Sequence, residues 1–184
     1  HFISDYIKNY FKEFFSKKDL FSTSNPYEIY DLLSENNYFL ISNAFNSCEN
    51  SLLQTKLDYN MSGSTVILVF SIIDRLIIAN TGDSRAFLQC KEGIKELSFD
   101  HKPDNPNEKE RIVKSGGRVQ PIKANGRYIG PSRVWVKDGD YPGLAMSRSV
   151  GDFIAKSVGC SCCPEVVDIS IDDSCMFIVI ASDG

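Results

Sequence analysis

Residues 65–90 read TVILVFSIIDRLIIANTGDSRAFLQC. β-Branched and aromatic residues dominate three short runs of this stretch, which predicts strands at Thr65–Ile73, Leu76–Asn80 and Ser84–Cys90. The polar pairs and triplets between these runs predict tight turns, and a fourth short strand is predicted at Ile94–Ser98. Consecutive short strands joined by tight turns are typical of an antiparallel meander.

Two helices are predicted before this stretch. Residues 2–18 carry an apolar stripe at helical spacing, formed by Phe2, Ile3, Tyr6, Ile7, Tyr10, Phe11, Phe14 and Phe15. A second helical segment is predicted from Pro26 to Asp58, either continuous or interrupted by a loop near Asn46–Asn50. Its apolar face is predicted to consist of Ile29, Leu32, Leu33, Phe39, Leu40, Ala44 and Phe45.

The second half of the chain alternates between glycine-rich and regular segments. Asn107–Ser115 is predicted to be a short helix that ends at Gly116-Gly117. Residues 118–143, which include Trp135, are predicted to form an ordered surface flap. A strand is expected at residues 165–172, and the apolar run Phe177–Ala181 is expected to be a strand buried on both faces.

Composition and charge favour a globular domain without a nucleic-acid partner. The chain has 184 residues, 42% of them hydrophobic, and a net charge of −4 with both signs mixed. A nucleic-acid partner would favour a basic face, which a mixed net charge of −4 does not suggest. A membrane span would need about 20 consecutive apolar residues, and no run approaches that length, so we expect neither nucleic-acid binding nor a membrane span. The chain has no initiator Met and no secretory leader pattern, and we expect it to be part of a longer protein.

The six cysteines leave two interpretations open. Free thiols in a reducing compartment are the first, because a chain of this size does not need disulfides for stability. Zinc bound through Cys160, Cys162 and Cys163 is the alternative, although no second ligand pair is evident.

Three aspartates are candidates for a metal site. Asp83 and Asp183 each follow an apolar strand, and Asp152 follows a glycine. Carboxylates that converge at one edge of a core repel unless a cation lies between them, and Mg²⁺ or Mn²⁺ suits such ligands. For Asp183 an ordinary Asp-Gly turn is the alternative. Arg85 and Arg148 could bind a phosphoryl oxyanion or pair with these aspartates.

Six motifs occur in a fixed order along the chain. They are Ser62-Gly63-Ser64-Thr65, Ala79–Arg85, Asp100-His101-Lys102-Pro103 with Glu108 to Gly117, Leu144–Asp152, Pro164-Glu165-Val166 and Ala181-Ser182-Asp183-Gly184. In order and approximate spacing they resemble the metal-dependent serine/threonine protein phosphatases of type 2C. The two predicted helices before them fit the long helical pair of that family.

The resemblance implies an α+β fold and a two-metal site. Two antiparallel sheets would pack face to face, flanked by helices in a four-layer α-β-β-α sandwich. Two Mn²⁺ or Mg²⁺ ions, with a third at a weaker position, would activate a water that attacks phosphoserine or phosphothreonine in proteins. Asp183 matches a ligand of the binuclear centre, and Asp83 matches the weaker position. Thr65, Arg148 and Asp152 match polar positions near the centre, and residues 119–142 match a variable flap beside the cleft.

The resemblance is incomplete at both ends. The strong Asp-Gly-His-Gly-Gly signature of the family does not occur in residues 1–184, and His1 matches no motif. The late Asp-Asn motif, which in the family lies beyond the region matched here, is missing too. We therefore expect a partial phosphatase domain that binds metal poorly on its own, exposes unpaired sheet edges, and has no assignable catalytic residue.

The sequence leaves three hypotheses about function, in decreasing order of support. The first is metal-dependent dephosphorylation of phosphoproteins by the parent protein, located in the cytoplasm or also in the nucleus. The second is an inactive relative that serves as a protein-binding module, and the third is the thiol or zinc protein. The sequence indicates neither a specific substrate, nor a regulator, nor an oligomeric state.

Overall fold

The computed structural model describes residues 2–17 and 23–182. The helices in these ranges are α1 Phe2–Lys17, α2 Pro26–Leu52, α3 Pro106–Lys114 and α4 Phe153–Lys156. The strands of the first half are β1 Gly63–Ser64, β2 Val66–Ile72, β3 Arg75–Thr81, β4 Arg85–Cys90 and β5 Gly93–Glu96. Those of the second half are β6 Gly117–Ala124, β7 Arg127–Val136, β8 Pro142–Leu144, β9 Val150–Gly151, β10 Glu165–Ser170 and β11 Cys175–Ala181.

Two three-stranded antiparallel sheets form the centre of the molecule. Their strand orders are β10-β3-β2 and β11-β4-β5. Apolar side chains of both sheets, including Leu76 and Ile78 on β3 and Ala86 and Leu88 on β4, belong to one buried cluster. The sheets therefore pack face to face, and the fold is α+β, as the resemblance implies.

The prediction of one continuous meander is wrong at Gly82. Strands β3 and β4 follow each other along the chain but lie in different sheets. β3 pairs with β2 and β10, whereas β4 pairs with β5 and β11. Gly82 has a φ of 111°, a conformation that glycine adopts readily, and the chain passes between the sheets at this turn.

Helix α1 covers the outer face of the first sheet with the predicted aromatic stripe. Ile3, Ile7, Phe11 and Phe15 are buried at intervals of four residues. The Phe15 ring contacts Phe70 of β2 with 5.1 Å between ring centroids. Phe2 was expected in this stripe but is exposed, although the next residue, Ile3, is buried.

Helix α2 is bent near its first third, not near Asn46–Asn50. Residues Glu35–Tyr38 have non-helical backbone angles, with positive φ at Asn36, Asn37 and Tyr38. Asparagine tolerates this conformation better than most residues. The helix then continues to Leu52, so it ends earlier than the predicted Asp58.

The bend redistributes the predicted apolar face of α2. Leu33, Ala44 and Phe45 are buried as expected, whereas Leu32 and Phe39 are exposed. The residues buried after the bend are Ile41, Ala44, Phe45, Cys48 and Leu52. Together with α1 they complete the helical layer on the first sheet.

The other two helices pack against a third sheet, of order β6-β7-β8. Ile112 of α3 and Ala155 of α4 share a buried cluster with Val134 of β7. The predicted surface flap is thus a three-stranded sheet, in which the Trp135 indole donates to the Gln120 carbonyl at 2.8 Å.

Strand β11 is not buried on both faces, contrary to prediction. Met176, Phe177, Val179 and Ile180 are all exposed. β11 is an edge strand, and within residues 2–17 and 23–182 the only strand that pairs with it is β4. Its neighbouring residues Val179 and Ile180 point to opposite faces, so both faces are partly exposed. An apolar run indicates a preference for burial, but a strand is buried only where another layer packs against it.

None of the helices within residues 2–17 and 23–182 is long and apolar enough to cross a membrane.

A buried carboxylate fastens α2 to the first sheet. Asp168 on β10 accepts hydrogen bonds from the Tyr30 hydroxyl at 2.9 Å and the Tyr38 hydroxyl at 2.8 Å. The Arg75 guanidinium on β3 pairs with the same carboxylate at 2.7 Å. The Asp168 side chain is 6% exposed, so the first part of α2 and its bend share one buried anion.

Substituting Asp168→Asn is expected to lower the free energy of unfolding by about 2 kcal/mol, because Arg75 loses its ionic partner. Urea unfolding measures the change. Asp140→Asn is the matched control, since Asp140 also pairs with an arginine but its side chain is 97% exposed. Equal losses in the two variants would contradict the role of burial.

Candidate functional site

Asp83 lies at one end of a row of alternating charges near the turn between β3 and β4. Its side chain is 9% exposed and accepts a hydrogen bond from the Lys102 ammonium at 2.5 Å. Lys102 also approaches Asp100 to 3.6 Å. Arg85 donates two hydrogen bonds to Asp100, at 2.8 and 2.9 Å. The negative charge of Asp83 is thus compensated by an ammonium group in this structure.

A cavity of about 330 Å³ opens beside this row of charged side chains. It is lined by Asp83, Arg85, Phe87, Asp100, Lys102, Ala181 and Ser182. The end of β11 reaches the cavity because Ala181 pairs in register with Arg85 of β4. Asp183, the predicted metal ligand, directly follows Ser182 but lies outside the described residues.

Thr65 supports the turn that carries Asp83. Its hydroxyl shares a hydrogen bond of 2.7 Å with the Ser84 hydroxyl. A Cβ atom added to Gly82 would lie only 2.4 Å from the Thr65 methyl group. Thr65 therefore packs directly against the Gly82–Ser84 turn.

His101 anchors the same turn from the protein interior. It is 2% exposed, and the Gly82 N–H lies 3.1 Å from its Nδ1 atom. In the tautomer that accepts this bond, Nε2–H donates to Glu165 at 3.3 Å. Burial and the nearby Arg148 charge lower the pKa of His101, which favours the neutral imidazole.

Arg148 is bound to a glutamate, not to one of the candidate aspartates as expected. Its guanidinium contacts Glu108 at 2.7 Å and donates to the Cys163 carbonyl at 2.9 Å. Glu108 also accepts two hydrogen bonds from Arg111, at 2.7 and 2.8 Å, and one from the Ser147 hydroxyl. The predicted pairing of Arg148 with a candidate aspartate is wrong, because α3 brings the buried carboxylate of Glu108 to this guanidinium.

The hydrogen bonds around Glu108 keep it ionised. Burial by itself would raise its pKa, but the bonds from Arg111, Arg148 and Ser147 outweigh that effect and hold the pKa well below its ordinary value. The Glu108 cluster, defined by these four residues, links α3 to the segment before β9.

Asp152 lies at a second cavity, of about 530 Å³. This cavity is lined by Phe2, Ile3, Ser4, Leu57, Asp58, Met61, Ser62, Gly63, Ser64, Leu144, Met146 and Asp152. Asp152 is 8% exposed, and burial raises its pKa. Its carboxylate packs so closely on Gly63 that an added Cβ would lie 2.2 Å from it. Asp83 and Asp152 therefore do not line the same cavity.

The three neighbouring cysteines point to separate partners. Cys162 approaches the Asn46 side chain at 3.3 Å, whereas the nearest polar partners of Cys160 and Cys163 are the carbonyls of Met146 and Pro164. Burial raises the pKa of Cys160 to about 12 and of Cys162 to about 11, which disfavours thiolates.

The described donors do not make a complete metal site. Within residues 2–17 and 23–182, no group of three or more His, Cys, Asp or Glu side chains is placed so that it could hold a metal ion. At the Asp83 cavity both carboxylates are already paired with cationic side chains. The two implied Mn²⁺ or Mg²⁺ ions therefore do not fit the donors in this part of the chain.

Sequence reasoning did not single out four residues that build this region, namely Asp100, His101, Lys102 and Glu108. All four stand within the third motif of the resemblance, which is the signal that could have identified them. Apart from the local pairs Glu108–Arg111 and Lys102–Asp100, their partners lie 15 to 64 residues away along the chain, and no local pattern reveals those distant pairings.

A protein-family model described as protein phosphatase 2C matches residues 1–184. The chain is 38% identical over 160 residues to probable protein phosphatase 2C 35 of Arabidopsis thaliana, covering 77% of this chain and 46% of that protein. It is 39% identical over 181 residues to probable protein phosphatase 2C 73 of Oryza sativa subsp. japonica, covering 94% and 42%. The chain thus spans less than half the length of these relatives.

Solved structures show the same fold. The crystal structure of serine-threonine phosphatase 2C from Toxoplasma gondii superposes with a TM-score of 0.78 at 22% identity, over 99% of this chain and 64% of that one. A sex-determining protein of C. elegans superposes with a TM-score of 0.64 at 18% identity, over 88% and 36%. With a family model that matches every residue, the chain belongs to the protein phosphatase 2C family.

Proposed function

We propose that the protein containing this chain removes phosphate from phosphoserine and phosphothreonine in proteins, with Mn²⁺ or Mg²⁺ as cofactor. The observation that carries the proposal is the cavity where Asp83 meets the end of β11. Within a chain that matches the family model along its whole length, this cavity brings one candidate ligand beside the segment that leads to Asp183.

The charges at the cavity support an anionic substrate. Arg85 and Lys102 both line it, and their side chains are 56% and 38% exposed. Guanidinium and ammonium groups are the usual protein partners of phosphoryl oxygens. A phosphorylated side chain entering the cavity would compete with Asp100 and Asp83 for these cations.

The rest of the metal-binding set is proposed to lie outside the described residues. Asp183 is the first such ligand, and Asp83 is proposed to serve the third, weaker metal position. We propose that residues 1–184 are a partial catalytic domain with little activity alone. Free thiols at all six cysteines support a location in the cytoplasm or nucleus.

An inactive protein-binding module is the second candidate. The pairing of Asp83 with Lys102 favours it, because an aspartate already bound to an ammonium group is less available to a metal. The exposed apolar face of β11 is a surface that such a module could use.

Metal removal separates the two candidates. In the full-length protein, hydrolysis of a phosphothreonine peptide is expected to fall about 100-fold with a chelator and to return with Mn²⁺. Asp183→Asn is expected to cause a similar loss, whereas Asp173→Asn, before β11, leaves the rate unchanged. Phosphate release measures both. A folded full-length protein that shows no Mn²⁺-dependent hydrolysis would refute the phosphatase and leave the binding module.

A further inference from the structure

Two cysteines on neighbouring strands face each other at the end of the second sheet remote from the Asp83 cavity. Cys90 is the last residue of β4, and Cys175 is the first residue of β11. They are partners in the antiparallel register, and their sulfur atoms are 3.6 Å apart. Both thiols are free.

The strand register at this point is compatible with a disulfide, and the irregularity in the register lies beyond the pair, between Cys175 and Phe177. Directly opposite residues of antiparallel strands have Cα atoms about 4.5–5.5 Å apart, which lies within the range of disulfide-bonded cysteines. The Lys91 N–H donates to the Ser174 carbonyl at 2.9 Å, so the two strands are fastened beside the thiols. The sulfur atoms need to approach by only about 1.5 Å to reach bonding distance.

The two thiols differ in a way that suits sequential oxidation. Cys175 is half-buried, and a hydrogen bond from the backbone at Asp172 lowers its pKa, which favours the nucleophilic thiolate. Cys90 is 1% exposed, and burial raises its pKa. Cys175 is therefore suited to react first and Cys90 to react second.

The other four cysteines lack this combination of a lowered pKa and a neighbouring thiol. Burial raises the pKa of Cys48 and Cys160 to about 12, and that of Cys162 to about 11. Cys163 is exposed, but its nearest polar partner is the Pro164 carbonyl and not a thiol. Among the six cysteines, a thiol-to-thiol contact is found at Cys90 and Cys175.

We propose that Cys90 and Cys175 are a hydroperoxide-sensitive pair that closes into a cross-strand disulfide. The Cys175 thiolate attacks one peroxide oxygen, the O–O bond breaks, and a sulfenic acid forms as hydroxide leaves. The Cys90 sulfur then attacks the Cys175 sulfur, its proton joins the departing hydroxyl, and water is released as the S–S bond forms. Two thiols are oxidised and one peroxide is reduced.

The disulfide would fasten β11 without reaching the Asp83 cavity. Within the described part of the chain β4 is the only strand that pairs with β11, so a covalent link there limits detachment of the edge strand. Cys175 and Ala181 stand at opposite ends of β11, about 20 Å apart at the rise of an extended strand. We therefore expect greater stability with little change at the cavity, and the proposal is independent of catalysis.

The test is mild oxidation of the reduced full-length protein with hydrogen peroxide. The expected product has lost about 2 Da and two thiols, and non-reducing peptide mapping links Cys90 to Cys175. Its Tm is expected to rise by roughly 5–10 °C and to return to the starting value with dithiothreitol.

Three variants make the result specific. Cys175→Ser abolishes the link and leaves the Tm insensitive to peroxide, and Cys90→Ala traps a sulfenic acid at Cys175 that dimedone labels. Cys163→Ser is the matched control and forms the link as the wild type does. Either of two results would overturn the proposal. One is a wild-type protein whose Cys175 is oxidised to sulfinic acid without a link to Cys90, and the other is a peroxide-induced rise in Tm that persists in Cys175→Ser.

Discussion

Replacing Glu108 with Gln is expected to lower the free energy of unfolding by about 3–4 kcal/mol. The carboxylate is 4% exposed and neutralises Arg111 and Arg148 while accepting from Ser147. A glutamine keeps the volume but removes the charge, so two guanidinium groups lose their ionic partner. The loss falls short of the largest values for buried pairs because the Arg111 side chain is 32% exposed.

The same substitution is expected to change the response to acid. A carboxylate whose pKa falls on folding stabilises the protein above its unfolded pKa, near 4.5, and that contribution is lost as the pH decreases below this value. Wild-type stability should therefore fall more steeply between pH 6 and pH 3 than that of Glu108→Gln. Urea unfolding at several pH values measures the difference.

Glu110 provides a matched control on the same helix. It pairs with Lys114 at 2.7 Å, but the two side chains are 62% and 74% exposed. Glu110→Gln is expected to cost less than about 0.5 kcal/mol, since water screens exposed pairs. If the two glutamine variants lost equal stability, the Glu108 cluster would not hold α3 in the way we describe.

Replacing Gly82 with Ala is expected to cost about 3 kcal/mol and to disturb Asp83. The residue has a φ of 111°, where an L side chain is strained, and the new Cβ would meet the Thr65 side chain at 2.4 and 2.8 Å. Because the next residue is Asp83, any shift of the turn also moves this carboxylate relative to Lys102. Urea unfolding measures the stability loss.

Two further variants separate strain from crowding at Gly82. Gly126 also has a positive φ, but no atom lies within 4 Å of a Cβ added there. We therefore expect Gly126→Ala to lower the free energy of unfolding by about 1–2 kcal/mol. Thr65→Ser removes the crowded methyl group and keeps the hydroxyl that meets Ser84. In the double variant Gly82→Ala with Thr65→Ser we expect about 1 kcal/mol to be recovered, and no recovery would rule out crowding against the Thr65 methyl group.

The sequence by itself determined the local elements and the family. The positions of β2, β3, β4, α1 and α3 follow from side-chain period and turn residues, because these patterns depend on neighbours in the chain. The ordered motifs from Ser62 to Gly184 identified the family without any coordinates, and the family model agrees along the whole chain.

Only the tertiary structure decided how these elements meet. It separated β3 from β4 at Gly82, left most apolar residues of β11 exposed, and paired Arg148 with Glu108 instead of an aspartate. It also paired Asp83 with Lys102, and Cys90 with Cys175 across 85 residues. The physical reason is the same in each case. Burial and charge pairing depend on which distant segments pack together, and a local sequence pattern does not predict that packing.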